Sequence, residues 1–208
     1  MEAASVAHGH TAAHEEHHHG PPPANRSSRV DPQLLGMYLF IISEIMVFGA
    51  FFTAYFFIRV VGGADWFPVQ GHDLPKLVAG VNTCILVSSS FTMHWALESA
   101  KADNRFGLQA GITTTFLLGL TFLFIQINEY VHIGFSPSDF AQGSVFYGLT
   151  GLHGAHVFIG LTLLSFATIR AFRGHFSPDE HRGVEVPGIY WHFVDVMWIV
   201  VFLTVYIF

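Results

Sequence analysis

After its first 33 residues, the chain is a series of long apolar runs separated by short polar stretches. The runs cover about Leu34 to Val61, Lys76 to Leu97, Phe106 to Asn128, Gln142 to Phe172 and Gly188 to Phe208. A helix rises about 1.5 Å per residue and a bilayer's hydrocarbon core is about 30 Å thick, so about twenty residues cross it. All five runs meet that length. The apolar positions are continuous rather than alternating, which argues against a barrel of roughly ten-residue strands. The pattern predicts an all-α integral membrane bundle of five transmembrane helices over residues 34–208. The fourth is long enough to tilt or to project from the membrane.

Residues 1–33 follow a different pattern. Six of the fourteen histidines fall there (His8, His10, His14, His17, His18 and His19), followed by Pro21, Pro22 and Pro23. No apolar h-region is present, so this is not a secretory signal. The stretch reads as a disordered, His/Pro-rich cytoplasmic tail, and its histidines have no regular spacing that would set a metal geometry. Lys and Arg fix the direction of insertion. Arg26, Arg29, Lys101, Arg105, Arg170, Arg173 and Arg182 all fall on one side, and only Arg59 and Lys76 on the other. The N-terminus is therefore expected in the cytoplasm and the C-terminus outside, with Trp66 and Tyr130 near the outer interface.

Composition narrows the class further. Of 208 residues, 51% are hydrophobic and 12% charged, where soluble domains carry roughly a quarter charged residues. Nine Lys and Arg stand against fifteen Asp and Glu, so no basic surface exists for a phosphate backbone and no nucleic acid is expected as a partner. The single cysteine, Cys84, permits no internal disulfide and no cysteine-based metal site, and reads as inert packing.

Helix association in lipid depends on close backbone approach. Gly107, Gly111, Thr115 and Gly119 recur every four residues in the third span. The fourth span carries Ser144, Gly148, Gly151 and Ala155, and the first Gly36, Ser43 and Ala50. Each stripe is expected to be a helix contact.

Ionisable groups at membrane depth ask for a partner or a purpose. Glu44 lies about ten residues into the first span, ringed by Phe40, Ile41, Val47 and Phe48. A neutral acid bonded to a neighbouring helix and a functional acid are both open. His153 and His156 are three apart and share a helix face, as do His192 and Asp195. An aspartate beside a histidine can hold the ring's tautomer or form an ion pair with it; a helix–helix polar contact is the plainer reading. Glu129 and His132 close the third span near the outer surface, where solvation makes them less demanding, and Glu98 is expected to be wetted. A bis-histidine haem needs facing ligands at one depth. His94, His153 or His156, and His192 would have to be forced into such a pair, so no metal site is assigned.

Several segments together resemble subunit III of the haem-copper oxidases. Trp191-His192-Phe193-Val194-Asp195-Val196-Met197-Trp198 resembles that family's closing helix. Gly151-Leu152-His153-Gly154-Ala155-His156-Val157 is similar to its histidine pair, and Gln126-Ile127-Asn128-Glu129-Tyr130 to its Gln-x-x-Glu-Tyr. Ser43-Glu44 within Leu39–Met46, Asn82-Thr83 and Trp95-Ala96 fit as well, all in the family's order. Longer members have seven helices; this chain resembles the short five-helix bacterial form, which lacks the first two and with them one wall of a lipid-filled cleft.

The resemblance implies a non-redox accessory subunit of a terminal respiratory oxidase in the bacterial cytoplasmic membrane. Haem and copper then reside in partner subunits and none is bound by this chain. Subunit I, which reduces oxygen to water and pumps protons, is the direct partner, with subunit II and further oxidase subunits in the complex. Structural phospholipid, support of cytoplasmic-side proton uptake and protection of subunit I during turnover are implied too. Glu44 matches the family's buried, carbodiimide-reactive glutamate. Phe40, Glu129, His153, His156, Trp191, His192 and Asp195 are implied to line the interior, lipid or interface regions, and no residue is catalytic. Glu44 is expected to be structural rather than an obligatory proton carrier, because a relay needs several exchangeable groups. The Asn82-Thr83 helix resembles the cytochrome c branch, while the five-helix length and histidine-rich tail also occur in the quinol branch. A related small protein accompanies some nitric oxide reductases. Two readings outside the family are a stand-alone b-type cytochrome, which predicts a Soret band from the chain alone, and a carrier built on Glu44, His156 and Asp195. A carrier usually shows an internal repeat, and none is visible here.

Overall fold

The computed structural model describes residues 31–63, 75–174, 176 and 182–207. The expected tail, up to residue 30, and Trp66 lie outside the described residues. Five helices follow one another: α1 (Pro32–Gly62), α2 (Lys76–Lys101), α3 (Arg105–His132), α4 (Ala141–Phe172) and α5 (Arg182–Phe202). A π-helical turn, Leu203–Ile207, extends α5. All five helices are long and apolar enough to cross a membrane, and no strand occurs among the described residues.

Most helices outrun their apolar stretches. α2 continues to Lys101 and α3 to His132, because polar side chains at the membrane surface need not end a helix. The Lys101 ammonium donates to Glu98 at 2.9 Å, one turn back, with both side chains exposed. α5 begins at Arg182 rather than Gly188 and passes through Pro187. A proline there forfeits one backbone hydrogen bond near the helix start, which membrane helices tolerate. Between α2 and α3 the chain reverses in three residues. Asp103 takes the left-handed conformation at φ 53, which Asp accepts more readily than most side chains. Asn104 then caps α3, its Oδ1 accepting from the Gly107 amide at 3.0 Å.

This short turn makes α2 and α3 a long antiparallel pair. α4 packs on α3 and α5, and α5 touches α1, α2 and α4. The third-span stripe forms the seam as expected. A Cβ on Gly107 would meet Ser99, and one on Gly111 would lie 2.8 Å from the Ala96 methyl. Thr115 and Thr92 share a hydrogen bond of 2.8 Å between their hydroxyls. Gly119 and Gly160 flank the indole of Trp191, and a Cβ on Gly160 would stand 2.8 Å from a ring carbon. The indole N–H donates to Ser89 at 2.9 Å. Trp191 therefore joins α2, α3, α4 and α5 at one level, and it is wholly buried.

The other two stripes behave differently. Gly36, Ser43 and Ala50 lie on the exposed side of α1, so they form no helix contact among the described residues. Gly148 approaches Phe51 of α1, but nothing comes within 4 Å of a Cβ on Gly151, and Ala155 is exposed. Small residues at helical spacing permit close approach without specifying which helix approaches. Cys84 is likewise exposed rather than packed inside.

Candidate functional site: two carboxyl groups at membrane depth

α1 carries Glu44 to a point where α4 and α5 converge. Its Oε2 lies 2.9 Å from Nε2 of His156, with the Glu44 side chain 19% exposed and the His156 ring 7%. The other ring nitrogen, Nδ1, lies 2.8 Å from the Leu152 carbonyl one turn back. A carbonyl can only accept, so Nδ1 carries a proton and donates it. Nε2 and Oε2 then share one proton, as neutral acid and neutral ring or as carboxylate and imidazolium. Either form leaves the pair without net charge. Phe48 packs on the imidazole with ring centroids 5.1 Å apart, and Phe40 lies beside Tyr190 at 6.2 Å. The Tyr190 hydroxyl donates to the His156 carbonyl at 3.2 Å. Of the two readings open for Glu44, this geometry is that of an acid bonded to a neighbouring helix.

Asp195 sits between α5 and α2 and is 3% exposed. The Ser90 hydroxyl donates to its Oδ2 in a short hydrogen bond. The same Ser90 oxygen is 2.9 Å from Nδ1 of His192. His192 and Asp195 are thus joined through a serine of another helix, the helix–helix polar contact that was the plainer reading. Their i, i+3 spacing puts them on one face, but the hydroxyl between them makes the connection. Asp195 Oδ1 is buried without a hydrogen-bond partner.

The remaining expected residues have distinct settings. His153 is wholly buried with its ring against Trp198 at 4.7 Å and Phe122 at 5.7 Å. It thus faces different neighbours from His156, although the two are one turn apart. Glu129 departs from expectation: it is 5% exposed, not solvated, because the π-helical turn brings the Tyr206 hydroxyl to donate to its Oε1 at 2.7 Å. Tyr130 donates to Thr150 at 2.8 Å. Glu44 holds Nε2 of His156 and Ser90 meets Nδ1 of His192, while both ring nitrogens of His153 are buried without a hydrogen-bond partner. Among the described residues no three His, Cys, Asp or Glu side chains converge as a metal would need.

Sequence reasoning missed Ser90, Tyr190 and Tyr206. The run Ser88-Ser89-Ser90 with Thr92, polar in the middle of an apolar span, was the available signal. A groove of about 310 Å³ lies where α4 ends and α5 begins, lined by Gln33, Leu163, Phe166, Arg170, Arg182 and Pro187 among others.

Comparison with known proteins follows the same lines. The family model described as Cytochrome c oxidase subunit III matches residues 25–208. The chain is similar to cytochrome c oxidase subunit 3 of Thermostichus vulcanus, 39% identical over 178 residues, which is 85% of this chain and 88% of that protein. It is 41% identical over 178 residues to the protein of the same name from Synechocystis sp., covering 85% and 76%. Against that of Oryctolagus cuniculus it is 39% identical over 176 residues, covering 82% and 67%.

Proposed function

The chain belongs to the cytochrome c oxidase subunit III family, and from that premise we propose that it is a non-redox accessory subunit of a bacterial terminal oxidase. Its relatives are subunits of cytochrome c oxidase, so it works in a respiratory complex with other oxidase subunits. In this reading subunit I is the direct partner, subunit II completes the core, and haem and copper belong to those chains. Cytochrome c is the electron donor, in keeping with the relatives' names. In this reading the protein crosses the cytoplasmic membrane five times with its N-terminus inside, in keeping with its Lys and Arg distribution.

The observation that carries the reading is the closed Glu44–His156 pair. On the histidine side the pair ends within its own helix, because Nδ1 donates to the Leu152 carbonyl and not to a second exchangeable group. That supports a structural role for Glu44 between α1 and α4. The chain then aids proton uptake and protects subunit I indirectly, by holding neighbours and lipid in place. The groove beside Arg170 and Arg182 suits a phospholipid. In this reading the Arg170 guanidinium meets a headgroup phosphate, while Leu163 and Phe166 line the apolar side.

The test is a mild-detergent pull-down through this chain, read by mass spectrometry and an optical spectrum. A large haem-containing subunit should co-elute, and the isolated chain should be colourless. A chain that elutes alone with its own haem overturns the proposal.

A further inference from the structure

Where α2 begins and α3 ends, a cavity of about 200 Å³ is lined by Pro75, Val78, Asn128, Glu129, His132 and Ile133. Glu129 and His132 are three residues apart on α3, so they share one side of the helix. The Tyr206 hydroxyl donates to Oε1 of Glu129 at 2.7 Å. The second carboxyl oxygen, Oε2, is buried without a hydrogen-bond partner. Nδ1 of His132 lies 2.8 Å from the Asn128 carbonyl. A carbonyl only accepts, so Nδ1 carries the proton and Nε2 of the neutral ring presents a lone pair.

An unpaired carboxyl oxygen and an imidazole nitrogen beside one cavity suit a divalent transition metal. The bonds on their far atoms point the same way. A histidine that ligates a metal donates its other N–H to a carboxylate or a backbone carbonyl, and a ligating carboxylate is itself hydrogen-bonded. His132 meets the first condition through Asn128, and Glu129 meets the second through Tyr206. Glu-x-x-His is also the spacing by which one helix of a bundle offers two ligands to a metal. At Glu44 and His156, by contrast, the acid and the ring bond each other, so neither is left for a metal. Imidazole favours zinc over magnesium or calcium. A resident zinc centre takes three or four protein ligands. Here two come from the chain and water completes the shell, which makes the site open and exchangeable. At roughly 30 Å³ for each water, the cavity has room for the ion and its waters.

We infer that Oε2 of Glu129 and Nε2 of His132 bind a divalent transition metal ion of the zinc type where α3 ends. Tyr206 is a positioning residue, which the π-helical turn carries to the carboxyl group. The inference does not depend on the accessory-subunit reading.

The experiment uses diethylpyrocarbonate, which acylates a histidine at an unprotonated ring nitrogen and is blocked there by a bound metal. Native membranes holding the full chain are treated with and without zinc chloride, and the peptide that carries His132 is followed by mass spectrometry. Zinc taken up by other histidines does not enter that readout. Zinc should suppress labelling of His132, and magnesium should not. Glu129→Gln should abolish the suppression. Tyr206→Phe keeps the ring and removes only the hydroxyl. It should raise the zinc concentration needed for suppression about tenfold, the usual effect of losing the partner of a metal ligand. Absence of suppression in the unaltered chain overturns the inference, as does equal suppression by magnesium. Equal suppression in Glu129→Gln means that His132 takes zinc without the carboxyl group, and overturns it too. Should Glu129→Gln fail to fold, Tyr206→Phe decides, and an unchanged zinc requirement there overturns the two-ligand site.

Discussion

Glu44 and Asp195 lie at similar distances along α1 and α5, and each is an acid where water is scarce, yet their surroundings differ in kind. Glu44 meets a single histidine, which spends its second nitrogen on its own helix backbone. The two groups bond each other within the chain. Asp195 meets a serine that also holds a histidine, so the connection runs on and ends at the bundle surface. A buried acid can thus be settled by one partner, or through a hydroxyl that a further side chain shares. The first arrangement ties α1 to its own bundle. The second ties α2 to α5 through a shared hydroxyl.

Both arrangements depend on where α5 sits, and Trp191 sets that. Trp191→Ala should be the most damaging change, costing about 3–5 kcal/mol for an emptied aromatic site. It removes the side chain that fills the notch of Gly119 and Gly160, and both acids lose their register together. Thermal unfolding of the purified complex, followed through this chain's dissociation, measures the loss. A variant that retains wild-type stability means that Trp191 is not the common support.

Next comes the serine bridge. Ser90→Ala strips the hydroxyl shared by Asp195 and His192 and leaves the buried carboxyl without its one partner, for a cost of about 1–3 kcal/mol. Glu44→Gln should cost under about 1 kcal/mol, since the amide can still donate to the His156 ring. Turnover and proton pumping should remain nearly intact in Glu44→Gln. Loss of pumping with assembly unchanged would make Glu44 a proton carrier and end the distinction between a closed pair and a working acid. Stability assays on the two variants side by side test the order, and the comparison fails where Glu44→Gln proves the worse.

How far these features could be foreseen depends on the range of the interaction. The five spans were visible because apolar runs are local and continuous. The α3 stripe was visible because Gly107, Gly111, Thr115 and Gly119 repeat at the helical period, and the seam with α2 follows from a turn too short to allow another neighbour. The α1 stripe has a comparable regularity but faces outward, since periodicity says which residues share a face and not what covers it. Glu44 and His156 are 112 residues apart, and Ser90 and Asp195 105. Each was recognisable as a polar group in an apolar span, but the pairings arise only from how α1, α2, α4 and α5 assemble. Glu129 was misjudged for a similar reason. Its depth near the end of α3 suggested water, and the Tyr206 that covers it arrives from the far end of the chain.

The smallest effect leaves stability unchanged and separates the two acids by access alone. An apolar carbodiimide dissolves in the bilayer and attacks a carboxylic acid in its protonated form. Glu44, with 19% of its side chain exposed at the contact of α1 with α4, is open to such a reagent. The proton it shares with His156 can rest on its own oxygen, as the reaction requires. Asp195 is 3% exposed and is screened by Ser90 and its own helix. Brief treatment of the intact oxidase, followed by peptide mass spectrometry, should place the adduct on Glu44 and none on Asp195. Glu44→Gln should abolish labelling of this chain. Labelling of Asp195 to the same extent as Glu44 would show that burial against α2 does not shield it, and the contrast in access between the two acids would fall.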